Sequence, residues 1–348
     1  MKLSLEQLIN TLLNDLDGRS RNILKRRFGI GPNFPGETLA ALGKEFGITR
    51  ERVRQIESQT LVKLRDNIKS GSGKEFFERV KDGLDSLGGV RRLENLAMDL
   101  SLDFSKDNIY NSLFYNQVRF LLEAAHWPVF AKATNSSYGV WYANKIHIEK
   151  CRNFCKSLRD TLHSRKSDLL DNCRWDKIFS ETTKLAKISE GVGLNYLSTS
   201  KNFAVNPYGD FGLSTWVEIR PKTMRDKAYL ILKKEKKPLH FLDIAKNINK
   251  VSFDGKIAHP PTVHNELIRD KRFVLVGRGI YGLREHGFMP GTARDTIARL
   301  LASRGPMEKD KIVNMVLSER FLKPNTIFLN LQNRKYFKKL NDGRYAVV

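Results

Sequence analysis

The chain repeats itself, and the repeat length limits what it can fold into. Residues Thr223 to Glu285, TMRDKAYLILKKEKKPLHFLDIAKNINK followed by PPTVHNELIRDKRFVLVGRGIYGLRE, parallel Thr292 to Val348, TARDTIARLLASRGPMEKDKIVNMVLSE followed by KPNTIFLNLQNRKYFKKLNDGRYAVV. Each copy reads as a helix, a Pro-Leu or Pro-Met break, a second helix, a third helix opened by proline, and a β-hairpin. The aromatic–small–aliphatic triplet in the hairpin occurs four times, as Tyr138-Gly139-Val140, Phe211-Gly212-Leu213, Tyr281-Gly282-Leu283 and Tyr345-Ala346-Val347, at spacings of 73, 70 and 64 residues. Gly88 to Leu100 precedes the first triplet and LRDTLHSRKSDLLDNCRWDKIFSE the second, each reading as a helical pair. A chain of 348 residues built this way reads as a string of small units, and one packed core is not expected.

Apolar residues Leu5, Leu8, Ile9, Leu12, Leu13 and Leu16 recur at helical spacing ahead of the repeats, and Asp17-Gly18 ends that helix. A second helix follows over Ser20 to Arg27, then the turn-rich Gly29 to Glu37 with Pro32, Pro35 and Gly36. Thr38 caps a third helix, Leu39 to Phe46, which Gly47 ends. Thr49 caps a long helix opened by Arg50, with Val53, Ile56, Thr60, Leu61 and Leu64 as its inward stripe. Helix, short glycine turn and basic helix is the helix-turn-helix order. The fold expected is therefore mainly α with small β-hairpins (α+β). A helix-turn-helix module spans 1–70 and repeat units span 75–148, 149–220, 221–286 and 291–348. Gly71-Ser72-Gly73, flanked by Ser70 and Lys74, reads as a linker, as do Glu218 to Lys222 and His286 to Gly291.

The 61 Lys and Arg against 38 Asp and Glu leave a formal charge of +23, which points to a polyanionic partner, nucleic acid first. The excess is uneven: residues 1–70 carry +5, 71–220 carry +3 and 221–348 carry +15. The two ends read as the nucleic-acid-contacting parts and the middle as scaffold or protein-contact surface. On the Arg50 helix, Arg50, Glu51, Arg54 and Gln55 project away from the apolar stripe near the end that enters a major groove. Arg suits guanine O6/N7, Gln suits adenine and Glu accepts from cytosine N4, each good pair being worth roughly 1–3 kcal/mol. The plainer alternative is a solvated charged face.

The segment Leu16 to Arg65 closely resembles region 4 of the primary, sigma-70 class, bacterial RNA polymerase sigma factors. The resemblance rests on Arg27-Phe28-Gly29, Thr38-Leu39 and the TRERVRQIE run from Thr49 to Glu57. It implies promoter base contacts, at the minus 35 hexamer, by Arg50, Glu51, Arg54 and Gln55. It also implies that the other face and the preceding helices seat on the flap of the polymerase β subunit. About fifteen residues precede the matching segment, and the remainder does not look like the promoter-melting region 2, so a complete sigma factor is not expected.

The order of elements in the repeats is that of a winged helix, and the repeats resemble the HARE winged-helix family. That family occurs in the δ subunit of bacterial RNA polymerase, in restriction-associated proteins and in chromatin proteins. Phosphate contacts are expected from the wings: Lys271, Arg272, Arg278 and Arg284 in one copy, Arg334, Lys335, Lys338, Lys339 and Arg344 in the other. Together these features point to a DNA-binding transcription protein that engages duplex DNA and RNA polymerase core. The alternatives are a polymerase-docking adaptor whose winged helices bind proteins, or the DNA-sensing part of a restriction or defence system.

Other motifs carry less. Gly277 to Gly282 fits G-x-G-x-x-G, but no long helix follows it, and the sister copy reads Asn341 to Ala346, so it is a wing turn. The GSGK of Gly71 to Lys74 lacks the remainder of a phosphate loop, and Asp210-Phe211-Gly212 lacks its kinase companions. His147, Cys151 and Cys155 stand four apart, with Cys173 or His163 as a further ligand. Zinc usually takes closer cysteine pairs, so reduced thiols and an ordinary histidine are the expectation. No catalytic constellation, metal or cofactor is expected. The most apolar stretch, Leu113 to Ala133, is broken by Arg119, Glu123, His126 and Pro128, and Glu6, Asp15 and Asp17 interrupt any signal-peptide core. A cytoplasmic, nucleoid-associated protein is expected, with no membrane contact.

Overall fold

The computed structural model describes residues 4–31, 36–68, 71, 73–105, 111–172 and 174–348. Pro32, Pro35, Ser70, Ser72 and Cys173 lie outside the described residues. The protein is mainly helical with small antiparallel sheets. It divides into two compact units, Met1–Ala204 with Gly212–Ser214, and Val205–Phe211 with Thr215–Val348.

The first unit begins with four helices, α1 (Leu5–Asn14), α2 (Gly18–Phe28), α3 (Leu39–Glu45) and α4 (Arg50–Asn67). Ser4 and Gln7 close a capping box on α1. Asp17 does not end α1; its carboxylate accepts the Ser20 N–H at 2.9 Å and caps α2, which starts two residues earlier than the sequence predicts. Thr38 and Thr49 cap α3 and α4 as their side chains predict, accepting from Ala41 and Arg52.

Next come α5 (Lys74–Ser86), β1 (Val90–Arg92), α6 (Leu93–Phe104), α7 (Ser112–Ala125), β2 (Val129–Ala131) and β3 (Val140–Tyr142), with sheet order β1-β3-β2. Gly88 to Leu100 is thus a strand and a helix, not a helical pair, because Val90–Arg92 finds a partner in β3, with Val90 opposite Tyr142. The unit continues with α8 (Lys145–Ser164), α9 (Lys166–Leu170), α10 (Trp175–Leu185) and α11 (Glu190–Thr199). Strands β4 (Phe203–Val205) and β5 (Phe211–Leu213) then pair, and the division between units runs through this hairpin.

One buried apolar cluster runs from Leu5 to Trp141 and joins α1, α2 and α4 to α5, α6 and α7. Asn195 of α11 ties the next helical group to it: its side-chain amide donates to the carbonyls of Leu87 (2.8 Å) and Val90 (2.6 Å), and its oxygen accepts from Arg91 (2.8 Å). Tyr196 Oη donates to the Gly88 carbonyl at 2.8 Å.

The second unit holds α12 (Met224–Glu235), β6 (Leu239–His240), α13 (Phe241–Val251), α14 (Pro260–Arg269), β7 (Phe273–Gly277) and β8 (Ile280–Leu283), with sheet order β6-β8-β7. After a 3-10 turn at Arg284–His286 follow α15 (Ala293–Arg304), α16 (Lys309–Glu319), α17 (Pro324–Leu331), β9 (Phe337–Lys339) and β10 (Tyr345–Val347). Thr223 with Asp226 and Thr292 with Asp295 build the same capping box at the start of each group. Met307 bridges Tyr345 where the earlier group has β6, so the two sequence copies share one element order. Each has its own core, one around Ile244 and Leu283, the other around Ile312 and Phe337. Arg320, 5 % exposed, joins them by donating to the carbonyls of Leu275 (2.6 Å) and Met289 (2.8 Å) and to Thr296 Oγ1 (3.2 Å). All four triplets read from the sequence fall in or beside the second strand of a hairpin: β3, β5, β8 and β10.

Candidate nucleic-acid interface

Close packing fixes the turn between α3 and α4. Ile23, Leu42 and Val53 form a buried core, flanked by Leu39, Phe46, Ile48 and Ile56. Gly43 lies so near the following turn that a Cβ there would stand 2.8 Å from the Ile48 carbonyl oxygen. Gly47 takes φ +64°, and the Ile48 N–H returns to the Gly43 carbonyl at 2.9 Å. Arg26 braces the assembly from α2, holding Glu37 at 2.6 Å ahead of α3 and Glu45 at its end.

This arrangement presents the first turns of α4 to solvent. Arg50, Glu51, Arg52, Arg54 and Gln55 are exposed, while Val53, Thr60 and Leu64 are buried. The four residues singled out in the sequence therefore stand on one helix and share its outer side. Arg52 is equally exposed, although its position beside Val53 in the sequence carries no signal of this. The outer residues are paired in the free protein: Arg54 with Glu51 at 2.7 Å, and Arg52 with the Gln55 side-chain oxygen at 3.2 Å. The Arg54 guanidinium holds the Glu51 carboxyl below its usual range.

The opposite side of α4 is covered. α7 packs against α1, α2 and α4, and Phe120 meets Phe28 edge-on with centroids 5.2 Å apart. Glu57 is caught at this contact beside Arg27 at 3.3 Å, and burial pushes its carboxyl up despite that partner.

Residues 12–66 match the family model for sigma-70, region 4. The chain is similar to the RNA polymerase sigma factor SigA of a Bacillus species, 42% identical over 74 residues, which are 21% of this chain and 19% of that protein. SigA of Listeria monocytogenes serovar 1/2a and of Listeria innocua serovar 6a are each 40% identical over 74 residues, 21% of this chain and 20% of those proteins. The chain spans about a fifth of the length of the curated relatives it matches. The likeness covers α2 to α4 and the end of α1, the part that forms the helix-turn-helix.

The wing candidates separate into free and engaged cations. Lys271, Arg278 and Arg284 are exposed around the β7–β8 hairpin. Arg272 is half-buried, bound to Asp270 at 2.6 Å and Asp226 at 3.1 Å, with Tyr229 beneath its guanidinium at 5.0 Å, so it works as a structural cation. Arg334, Lys338 and Lys339 line a concavity of about 540 Å³ with Gln332 and Tyr345, and Lys335 is exposed next to them. Arg344 pairs with Asp342 at 2.6 Å across the β9–β10 turn. Gly277 to Gly282 lies on the β7–β8 hairpin.

The third helices hold little of this charge. α17 carries no charged residue, and α14 adds only Arg269 and the Glu266 that binds Arg225. Of the metal-spaced residues, Cys151 contacts Thr199 Oγ1 and Cys155 donates to the Tyr196 carbonyl, each at 3.4 Å, whereas His147 packs against Gly89. Among the described residues no group of three or more His, Cys, Asp or Glu is placed to hold a metal ion, and no helix is long and apolar enough to cross a membrane.

Proposed function

We propose that the protein is a non-enzymatic, DNA-binding transcription protein that associates with RNA polymerase. In this reading α4 reads bases through Arg50, Glu51, Arg54 and Gln55, and the appended groups act as winged helices of the HARE type. The observation that carries it is the exposed first half of α4, rich in bidentate-capable side chains, inside a segment that is similar to a sigma factor. Lys271, Arg278, Arg284, Arg334, Lys335, Lys338 and Lys339 then contact phosphates, and Arg344 joins them once Asp342 releases it. The test is selection of sites from a random duplex pool by the full chain and by Arg54→Ala. Loss of one preferred base position in the variant supports base reading, and identical selected sites sink it.

Polymerase association follows from the likeness to SigA, with one constraint. The face of α1, α2 and α4 turned away from DNA is already filled by α7. Docking on a β-flap must therefore use the exposed remainder of the module or displace α7. Capture of core polymerase by the immobilised full chain tests the association.

A second reading, a protein-binding adaptor, is favoured by the exposed apolar residues Ile268 on α14 and Leu329 on α17, at 63% and 66% exposure. Duplex binding whose log affinity falls with log salt separates the readings in favour of DNA.

A further inference from the structure

The nearly neutral middle of the chain contains a cationic cavity that the DNA-reading module does not explain. On α8, Arg152, Lys156 and Arg159 follow one another at intervals of four and three residues, which places them along one face. The loop between β2 and β3 faces them and is held in place. Tyr138 N–H donates to the Thr199 carbonyl and Lys201 N–H to the Ser136 carbonyl, both at 2.9 Å, and Lys201 Nζ donates to the Thr134 carbonyl at 2.7 Å. This loop, α8 and the end of α11 enclose about 320 Å³. The three cations meet there with the hydroxyls of Thr134, Ser136 and Ser200, and no carboxylate is among the lining residues. Arg152 and Lys156 have no ion pair among the described residues, and the partner of Arg159 is the exposed Asp160 next to it.

We propose that this cavity binds a phosphate group. Guanidinium and ammonium donors give charge-assisted hydrogen bonds to phosphate oxygens, and the hydroxyls supply neutral donors for the remainder. The same surroundings disfavour a metal at Cys151 and Cys155, because a dication held by those thiolates would stand among three positive side chains. The phosphate comes either from a small polyphosphate-bearing molecule or from a duplex backbone. Only the second source rests on the DNA-binding reading.

The experiment titrates sodium tripolyphosphate into the full chain by calorimetry, and measures duplex affinity across a salt series in parallel. The informative variant is Arg152→Ala with Lys156→Ala. The control, Lys145→Ala with Lys150→Ala, removes equal charge from exposed positions of α8 outside the cavity. Saturable tripolyphosphate binding that weakens about tenfold or more in the variant and not in the control establishes the small-molecule source. Absence of that binding, together with a duplex salt slope lowered by about 0.9 per phosphate no longer neutralised, in the variant alone, assigns the site to the backbone. Ser136→Asp, which puts a carboxylate on the cavity rim without altering α8, must reproduce the loss; circular dichroism confirms that each variant is folded. Variant and control behaving alike in both titrations overturns the proposal. Failure of the whole chain to bind duplex overturns the DNA reading and leaves the tripolyphosphate result to decide this one.

Discussion

Gly43→Ala tests whether the spacing of α3 and α4 sets base reading. The added Cβ would stand 2.8 Å from the Ile48 carbonyl oxygen and 3.2 Å from the Arg50 nitrogen. Both neighbours are backbone, so no side chain can swing aside. Ordinary contact begins near 3.4 Å, which requires a separation of about 0.6 Å between the two helices. Overpacking of this kind costs about 1–3 kcal/mol, and stretching the 2.9 Å bond from Ile48 N–H to Gly43 adds up to about 1 kcal/mol. Gly47→Ala is the matched control. It places a Cβ at φ +64° in open space, costing about 1–2 kcal/mol through backbone strain without pushing α4 away. The two variants should lose similar stability in chemical denaturation. In competition binding between a selected and a scrambled duplex, Gly43→Ala should lose most of its discrimination and Gly47→Ala should keep most of it. Equal discrimination by the two would show that the packed turn does not position the reading residues.

Four further outcomes follow from individual contacts. Asn195→Ala removes a side chain that satisfies two carbonyls and Arg91, and should destabilise the first unit by about 2–4 kcal/mol in urea unfolding; a loss under about 1 kcal/mol would mean that water replaces it fully. Arg320→Met keeps most of the side-chain volume but leaves the Leu275 and Met289 carbonyls without their donor, so proteolysis should begin cutting between Arg284 and Thr292, and an unchanged digestion pattern would count against the coupling. The raised carboxyl of Glu57 means that the folded state holds its proton more tightly than the unfolded state. Its contribution to stability is full below the ordinary value of 4.5 and is lost as pH rises through the folded value, so Glu57→Gln should flatten the stability difference across that window. Lys338→Glu with Lys339→Glu should lower the duplex salt slope by about 0.9 for each phosphate these lysines neutralise, while the Phe337 core stays intact; an unchanged slope would move the phosphate contacts elsewhere.

The helix-turn-helix was legible because its signals are local. Thr38 and Thr49 cap, Gly47 turns, and the Val53 to Leu64 stripe fixes which side of α4 is outward, all within a thirty-residue window. The repeated hairpins were legible for the same reason, since the triplets mark a strand beside its own turn. What escaped depends on partners distant in sequence. Val90–Arg92 became a strand only because β3, about fifty residues on, lies alongside. The cavity beside α8 joins residues 134 to 202, whose block is nearly neutral, so a charge count by segment averages its three cations away.

The same distant contacts leave units of one pattern with different surfaces exposed. A winged helix that reads DNA needs its third helix free and its hairpin loop exposed. In the first repeat α7 is buried against α1, α2 and α4, and the β2–β3 loop is bonded to Thr199 and Lys201. Both surfaces of this repeat are occupied internally. In the last repeat the hairpin carries Lys338 and Lys339 into solvent, but α17 offers Asn325, Thr326 and Leu329 in place of cations. Such a unit can hold a backbone through its wing without the charge that would draw its third helix into a groove. On the DNA-binding reading, sequence preference should therefore come from α4 and not from α7 or α17, with the second unit adding affinity that fades with salt. Replacing Asn325 and Thr326 with alanine should leave the selected DNA sequence unchanged, and a shift in that sequence would show that α17 enters a groove after all.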